Sequence, residues 1–195
     1  MPPSRRDELI ESAMNVFYRH GFHSTGLDQI LKESGISRMT LYNHFKSKDE
    51  LAVATLRRRD EIFRNNLMRS AETRSEDPIG RILALFDVYA EWFEQDDFQG
   101  CMFINASAEF SDPDAPARRV SADHKVEIVR YITRLCHAAG FTEPVELAES
   151  LNILLEGAIV NAHVVAKVPN NTSTTANAAR RARRIAELLI GCAKD

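Results

Sequence analysis

Apolar residues recur at spacings of three and four along almost the whole chain, while the alternating runs that mark strands are nearly absent. That periodicity confines the 195 residues to helices, each burying one stripe, and predicts an all-α fold. Turn-forming residues interrupt the pattern at 21–25, 35–37, 46–47, 75–78, 95–100, 111–116, 140–144 and 168–175, which leaves about nine helices. A chain of this length buries one core, or a small module beside a larger one.

Three capping patterns mark helix starts in the first third: Ser4 with Asp7, Thr25 with Asp28, and Ser47 with Glu50. The first helix, residues 5–20, offers Leu9, Ile10, Ala13, Val16 and Phe17 to a core. The second, 26–34, offers Leu27, Ile30 and Leu31. The third, 38–45, offers Leu41 and Phe45, four residues apart on one face. Between the second and third stands Glu33-Ser34-Gly35-Ile36-Ser37, in which Gly35 can adopt the left-handed conformation that ends a helix and Ser37 caps the next. Two short helices joined by a tight turn form a helix-turn-helix, whose second helix enters the major groove of DNA.

On that reading Arg38, Met39, Thr40 and Asn43 meet base edges. Arg38 pairs with guanine, Asn43 pairs with adenine, and Met39 or the Thr40 methyl touches a thymine methyl. Thr25, Ser37, Tyr42, His44 and Lys48 are placed for phosphate contacts. The net charge of −3 is unevenly spread, since residues 1–60 hold 10 Lys/Arg against 8 Asp/Glu. The small positive excess falls where a polyanion would bind.

The ordered run Ile10-Glu11-Ser12-Ala13, Phe17-Tyr18-Arg19-His20-Gly21-Phe22, Thr25, Ile30-Leu31-Lys32-Glu33-Ser34-Gly35-Ile36-Ser37 and Thr40-Leu41-Tyr42-Asn43-His44-Phe45-Lys46-Ser47-Lys48-Asp49-Glu50-Leu51 resembles the DNA-binding domain of the TetR family. Leu31-Lys32 departs from the Ala-Lys usual there. The resemblance covers the first quarter of the chain. It implies a DNA-binding domain over residues 1–50 and a ligand-binding and dimerisation domain over 51–195. It also implies a repressor that leaves its operator when a small molecule binds. The fourth helix, from Lys48 toward Thr73, would carry that signal as a shift between two populated states. The alternatives are a TetR-like activator and a helical ligand-binding dimer without specific DNA binding.

In the second domain, Phe86, Tyr89, Trp92, Phe93 and Phe103 form an aromatic-rich set, with Phe110 and Tyr131 beyond it. Most are expected as core, and Asn105, Glu109, His124 and His137 are the polar candidates for fixing a ligand. Gly100-Cys101 resembles a step seen in family members that sense electrophiles or oxidants, so Cys101 is the candidate sensor, with a buried hydrophobe as the plainer reading. The last two helices, 143–167 and 175–193, carry Leu151, Leu154, Leu155, Ala158, Ala162, Ile185, Leu188 and Leu189. These are expected at an isologous homodimer interface. The basic run at 180–184 reads as a solvated or salt-bridging face.

Other classes are poorly served. No glycine loop for phosphate, no His-Glu-x-x-His run and no nucleophile with its base occurs, so neither enzyme activity nor a cofactor is expected. Cys101, Cys136 and Cys192 lack metal-ligand spacing, which suits a reducing compartment. No apolar run is long enough to span a membrane, and residues 1–7 lack the apolar core of a signal peptide, which makes the cytoplasm the expected location. The expected partners are therefore operator DNA, an inducer of unknown identity and a second copy of the chain.

Overall fold

The computed structural model describes residues 4–165 and 175–193. Among the described residues are nine α-helices and no strand: α1 (Arg5–His20), α2 (Leu27–Ser34), α3 (Arg38–His44), α4 (Lys48–Arg74), α5 (Pro78–Phe93), α6 (Met102–Glu109), α7 (Pro116–Ala138), α8 (Pro144–Val165) and α9 (Ala176–Cys192). The expected polar loop at 168–174 and the expected last turn of the eighth helix at 166–167 lie outside the described residues.

The chain divides into two compact units, residues 1–63 with 102–124, and residues 64–101 with 125–195. The sequence boundary was expected near residue 50. The first unit is discontinuous because α6 and the start of α7 pack with the N-terminal helices, and α4 and α7 contribute to both units.

In the first unit, Leu9, Ala13, Val16, Phe17, Ile30, Leu41 and Phe45 are all at most 2% exposed and form the shared centre of α1, α2 and α3. Each large side chain so buried contributes roughly 1.5–3 kcal/mol. Leu27 and Leu31 are half-buried at the edge of that centre. Ser4 and Asp7 complete a reciprocal capping box at the start of α1. At α4 the reciprocity is displaced by one residue: the Glu50 N–H donates to Ser47 Oγ at 3.1 Å, while the Glu50 carboxylate accepts from the Lys46 N–H at 2.7 Å.

The start of α2 differs from expectation. Its N-cap is Gly26, without a side-chain hydrogen bond. Thr25 instead turns inward, 1% exposed, and its hydroxyl donates to the Gly21 carbonyl at 2.6 Å. Donating that proton leaves the hydroxyl oxygen able to accept, so it is position that removes Thr25 as the cap: it stands one residue before Gly26, with its side chain buried.

In the second unit α5, α8 and α9 pack on one another. Their core includes Ile82, Leu85, Phe86, Leu151, Leu155 and Ala186, each at most 1% exposed. The Thr175 hydroxyl ties the start of α9 to the Phe93 carbonyl at 2.8 Å. Arg180 lies 3.2 Å from Glu94, and Arg183 pairs with Asp87 and Glu187, so part of the basic run is neutralised within this unit.

Candidate functional site

The helix-turn-helix is set by Gly35 and Ser37. Gly35 has φ +66°, a left-handed conformation, and its N–H donates to the Leu31 carbonyl at 3.0 Å, closing α2. Ile36 turns inward at 7% exposure. Ser37 Oγ accepts from the Thr40 N–H at 3.1 Å and lies 2.9 Å from Thr40 Oγ1, so the cap orders both hydroxyls at the start of α3.

With Leu41 and Phe45 buried, the opposite face of α3 is open. Met39 is 74% and Tyr42 49% exposed, Arg38, Asn43 and His44 are exposed, and Thr40 is half-buried. Arg38 is ion-paired with Asp28 of α2 through one guanidinium nitrogen, which ties it to the preceding helix.

Two of the residues expected at phosphates are committed elsewhere. Thr25 is buried and bonded to Gly21. Lys48 is half-buried, and its ammonium donates to the carbonyls of Phe22, His23 and Thr25 at 3.0, 3.3 and 3.1 Å, which uses all three of its protons. Its place at the start of α4 points it back at the loop between α1 and α2. Sequence spacing shows that Lys48 follows the reading helix, but not that unsatisfied carbonyls lie within its reach.

The residues expected at a ligand fall into the two units separately. Phe86, Tyr89, Trp92, Phe93 and Cys101 belong to the second. Tyr89, Trp92, Phe93 and Phe98 form a chain of edge-on and tilted rings with centroids 5.0–6.0 Å apart, of which only Trp92 is not fully buried. Burial pushes the Tyr89 hydroxyl well above its usual range, with electrostatic contributions from Glu156 and Cys101 in the same direction. Cys101 is 5% exposed, and Lys125 Nζ lies 3.3 Å from its sulfur and 2.7–2.8 Å from both carboxylate oxygens of Glu156. Burial disfavours the Lys125 ammonium, but Cys101 and Glu156 outweigh it and raise its pKa. Lys125 and Glu156 were missed in the sequence, where nothing connects a lysine of α7 and a glutamate of α8 to position 101.

Phe103, Asn105, Glu109 and His124 belong to the first unit. Phe103 stacks face to face on buried His124 at 3.7 Å, and His124 Nδ1 lies 2.7 Å from Asp60 of α4. Asn105 is half-buried. The Glu109 carboxylate is taken up by backbone N–H groups of residues 22 and 23, so it is not available to fix a ligand. His137 is exposed. In this unit a cleft of about 560 Å³ is lined by Arg6, Phe45, Glu50, Arg57 and Arg58 among others, none of them a residue expected at a ligand.

The expected interface residues also divide. Leu151, Leu155, Ala158 and Ala162 are at most 5% exposed and pack inside the protomer, which removes them as contacts to a second copy. Leu154 and Leu189 are half-buried. Ile185 and Leu188 are 47% and 70% exposed, and α8 adds a stripe of Ile153 (70%), Val160 (46%) and Val164 (69%). Gly157 lies in that stripe, with no heavy atom within 4 Å of where a Cβ would stand. Both faces of α8 are apolar, and periodicity does not say which one meets the chain's own core.

Among the described residues no helix is long and apolar enough to cross a membrane. Also among them, no group of three or more His, Cys, Asp or Glu side chains is gathered to hold a metal ion.

Residues 9–55 match the family described as bacterial regulatory proteins, tetR family, and residues 78–184 match the tetracyclin repressor-like C-terminal domain. The chain is 30% identical over 114 residues to the transcriptional activator FasR of Mycolicibacterium smegmatis, a match covering 58% of this chain and 51% of that protein. It is 26% identical over 108 residues to the transcriptional repressor NemR of Escherichia coli, covering 55% and 54%. The matched segments thus span about half the length of these two relatives. The crystal structure of SCO4454, a TetR-family transcriptional regulator from Streptomyces coelicolor, superposes with a TM-score of 0.87 at 27% identity, covering 98% of this chain and 96% of that one. An open reading helix behind a glycine turn, an all-helical remainder and matches to both halves of one family agree: the chain belongs to the TetR family and is a non-enzymatic, helix-turn-helix transcriptional regulator.

Proposed function

We propose that this regulator is a ligand-responsive repressor that binds a near-palindromic operator as a homodimer. The observation that carries the reading is the open face of α3, where Arg38, Met39, Tyr42 and Asn43 stand exposed opposite the buried Leu41 and Phe45. Arg38 and Asn43 read bases, and Tyr42, His44 and Ser37 contact phosphates. The repressor assignment follows NemR. FasR, an activator, supports the opposite sign, which a deletion strain resolves by whether target transcripts rise or fall.

Dimerisation through α8 and α9 is supported by the exposed stripe Ile153, Val160, Val164, Ile185 and Leu188, with Gly157 leaving room for close helix approach. The inducer class we favour is a soft electrophile captured by Cys101, because the Lys125 ammonium stands 3.3 Å from the sulfur and electropositive surroundings mark reactive thiols. The test is footprinting of the DNA upstream of the regulator's own gene, with and without electrophiles, on the wild type and Cys101→Ser. Protection of a near-palindrome that falls steeply with salt supports the reading, and only weak, sequence-independent binding refutes it. If Cys101→Ser is released by electrophiles as readily as the wild type, the cysteine has no sensing role.

A further inference from the structure

The loop from Gly21 to Thr25 carries backbone groups that α1 and α2 leave unsatisfied, and unpaired backbone polar groups are costly once shielded from water. Two charged side chains serve it from opposite sides. The Phe22 N–H donates to Glu109 Oε1 at 3.0 Å and the His23 N–H donates to Glu109 Oε2 at 2.6 Å, so each carboxylate oxygen accepts one proton. Lys48 serves the carbonyls of residues 22, 23 and 25.

The backbone here favours glycine, and the carboxylate lies close against it. Gly21 has φ +83°, and a Cβ there would stand 2.9 Å from Glu109 Oε1. The next residue, Phe110, packs its ring edge-on against Phe22 at 5.6 Å and His23 at 4.9 Å. At the other end of α6, Phe103 stacks on His124, itself tied to Asp60. The helix is therefore held at its start and grips the loop at its last residue. That loop runs directly into Gly26, the N-cap of α2, and α2 hands its orientation to α3 through the Gly35 turn.

We propose that Glu109 is a positioning residue for operator recognition: its carboxylate sets the loop between α1 and α2, and with it the angle at which α2 and α3 meet DNA. Movement of α6 acts on the reading helices through this group. The proposal makes a sign prediction that simple electrostatics reverses. A carboxylate that merely faced solvent near the DNA-binding surface would repel phosphates, and removing it would strengthen binding. Removing a clamp weakens it.

The experiment measures the affinity of full-length wild type, Glu109→Gln and Glu109→Ala for an operator duplex across a salt series, alongside thermal unfolding and amide hydrogen exchange. Glu109→Ala is expected to lose about tenfold in affinity, the scale of one charged hydrogen bond. Glu109→Gln should fall between, because its amide keeps one acceptor and turns an N–H₂ toward a donor. The slope of log affinity against log salt stays at the wild-type value, since no phosphate contact is removed. The Phe22 and His23 amides exchange slowly in the wild type and faster in both variants. Affinity equal to or above the wild type in the variants, or a salt slope changed by about one, overturns the proposal. So does unprotected exchange of both amides in the wild type, a result that does not depend on either variant folding.

Discussion

Replacing Lys48 with methionine separates two roles that a basic residue beside a reading helix can play. The substitution keeps an unbranched apolar stem and removes the ammonium that serves three carbonyls at 3.0, 3.3 and 3.1 Å. A hydrogen bond to a charged group contributes about 1.5–3 kcal/mol. Lys48 is only half-buried, so water reaches part of the vacated space, and the lower end, about 1.5 kcal/mol, is the expected loss. For a chain of this length each kcal/mol moves Tm by about 2–4 °C, which predicts a fall of about 3–6 °C. Operator affinity should drop by a similar factor at every salt concentration, because the loop relaxes while the phosphate contacts remain. A lysine seated on a phosphate would behave otherwise, lowering the salt slope by about 0.9 with little effect on Tm. Calorimetry and fluorescence anisotropy over a salt series distinguish the two, and a flattened slope with unchanged Tm would refute the assignment to the loop.

Arg38→Ala and Asn43→Ala are each expected to relax preference at particular base pairs by about 1–3 kcal/mol, read from binding to a library of single-substituted operators. Asp28→Asn frees Arg38 of its ion pair, and should broaden tolerance at the base pair Arg38 reads without altering the others. Leu188→Glu, which adds a charge to an exposed apolar stripe, should shift sedimentation toward the monomer while leaving the helical circular dichroism signal intact. Burial pushes the Cys136 thiol up to about 11, whereas an unfolded thiol ionises near 8.5. The raised value means the folded state holds its proton more tightly, so stability is complete below the unfolded pKa and declines as pH climbs toward 11. A loss of roughly 2–3 kcal/mol over that window, smaller in Cys136→Val, is the expected result of urea titrations at stepped pH.

Much of the exposed face of α3 was legible because it depends on local spacing. Leu41 and Phe45, four residues apart, settle which side of α3 is buried, and Arg38, Met39 and Asn43 are then left outside without knowledge of anything distant. Gly35 and Ser37 are legible for the same reason, since a left-handed turn and a helix cap are properties of neighbouring residues. Thr25 was misread as the cap because the first turn of α2 begins one residue later than its spacing from Asp28 implies, with Gly26 at the cap position and Thr25 turned inward. On α8, Leu151 and Leu155, expected at the interface, fill the protomer core, while Ile153 and Val164, not among the residues expected there, stay outside. A helix apolar on two faces carries no local mark of which face its own chain covers.

Residue order alone therefore determined that this chain is helical, where α1 and α3 begin, and which side chains of α3 face away from its core, because each of these depends on atoms within one or two turns. Tertiary structure decided what the charged groups do. Glu109 meets residues 22 and 23, Lys125 meets Cys101 and Glu156, and Asp60 meets the His124 ring. A buried or half-buried charge is stable only where packing supplies its opposite or a set of backbone dipoles. Such partners are brought together by contacts far apart in sequence, which local periodicity does not encode.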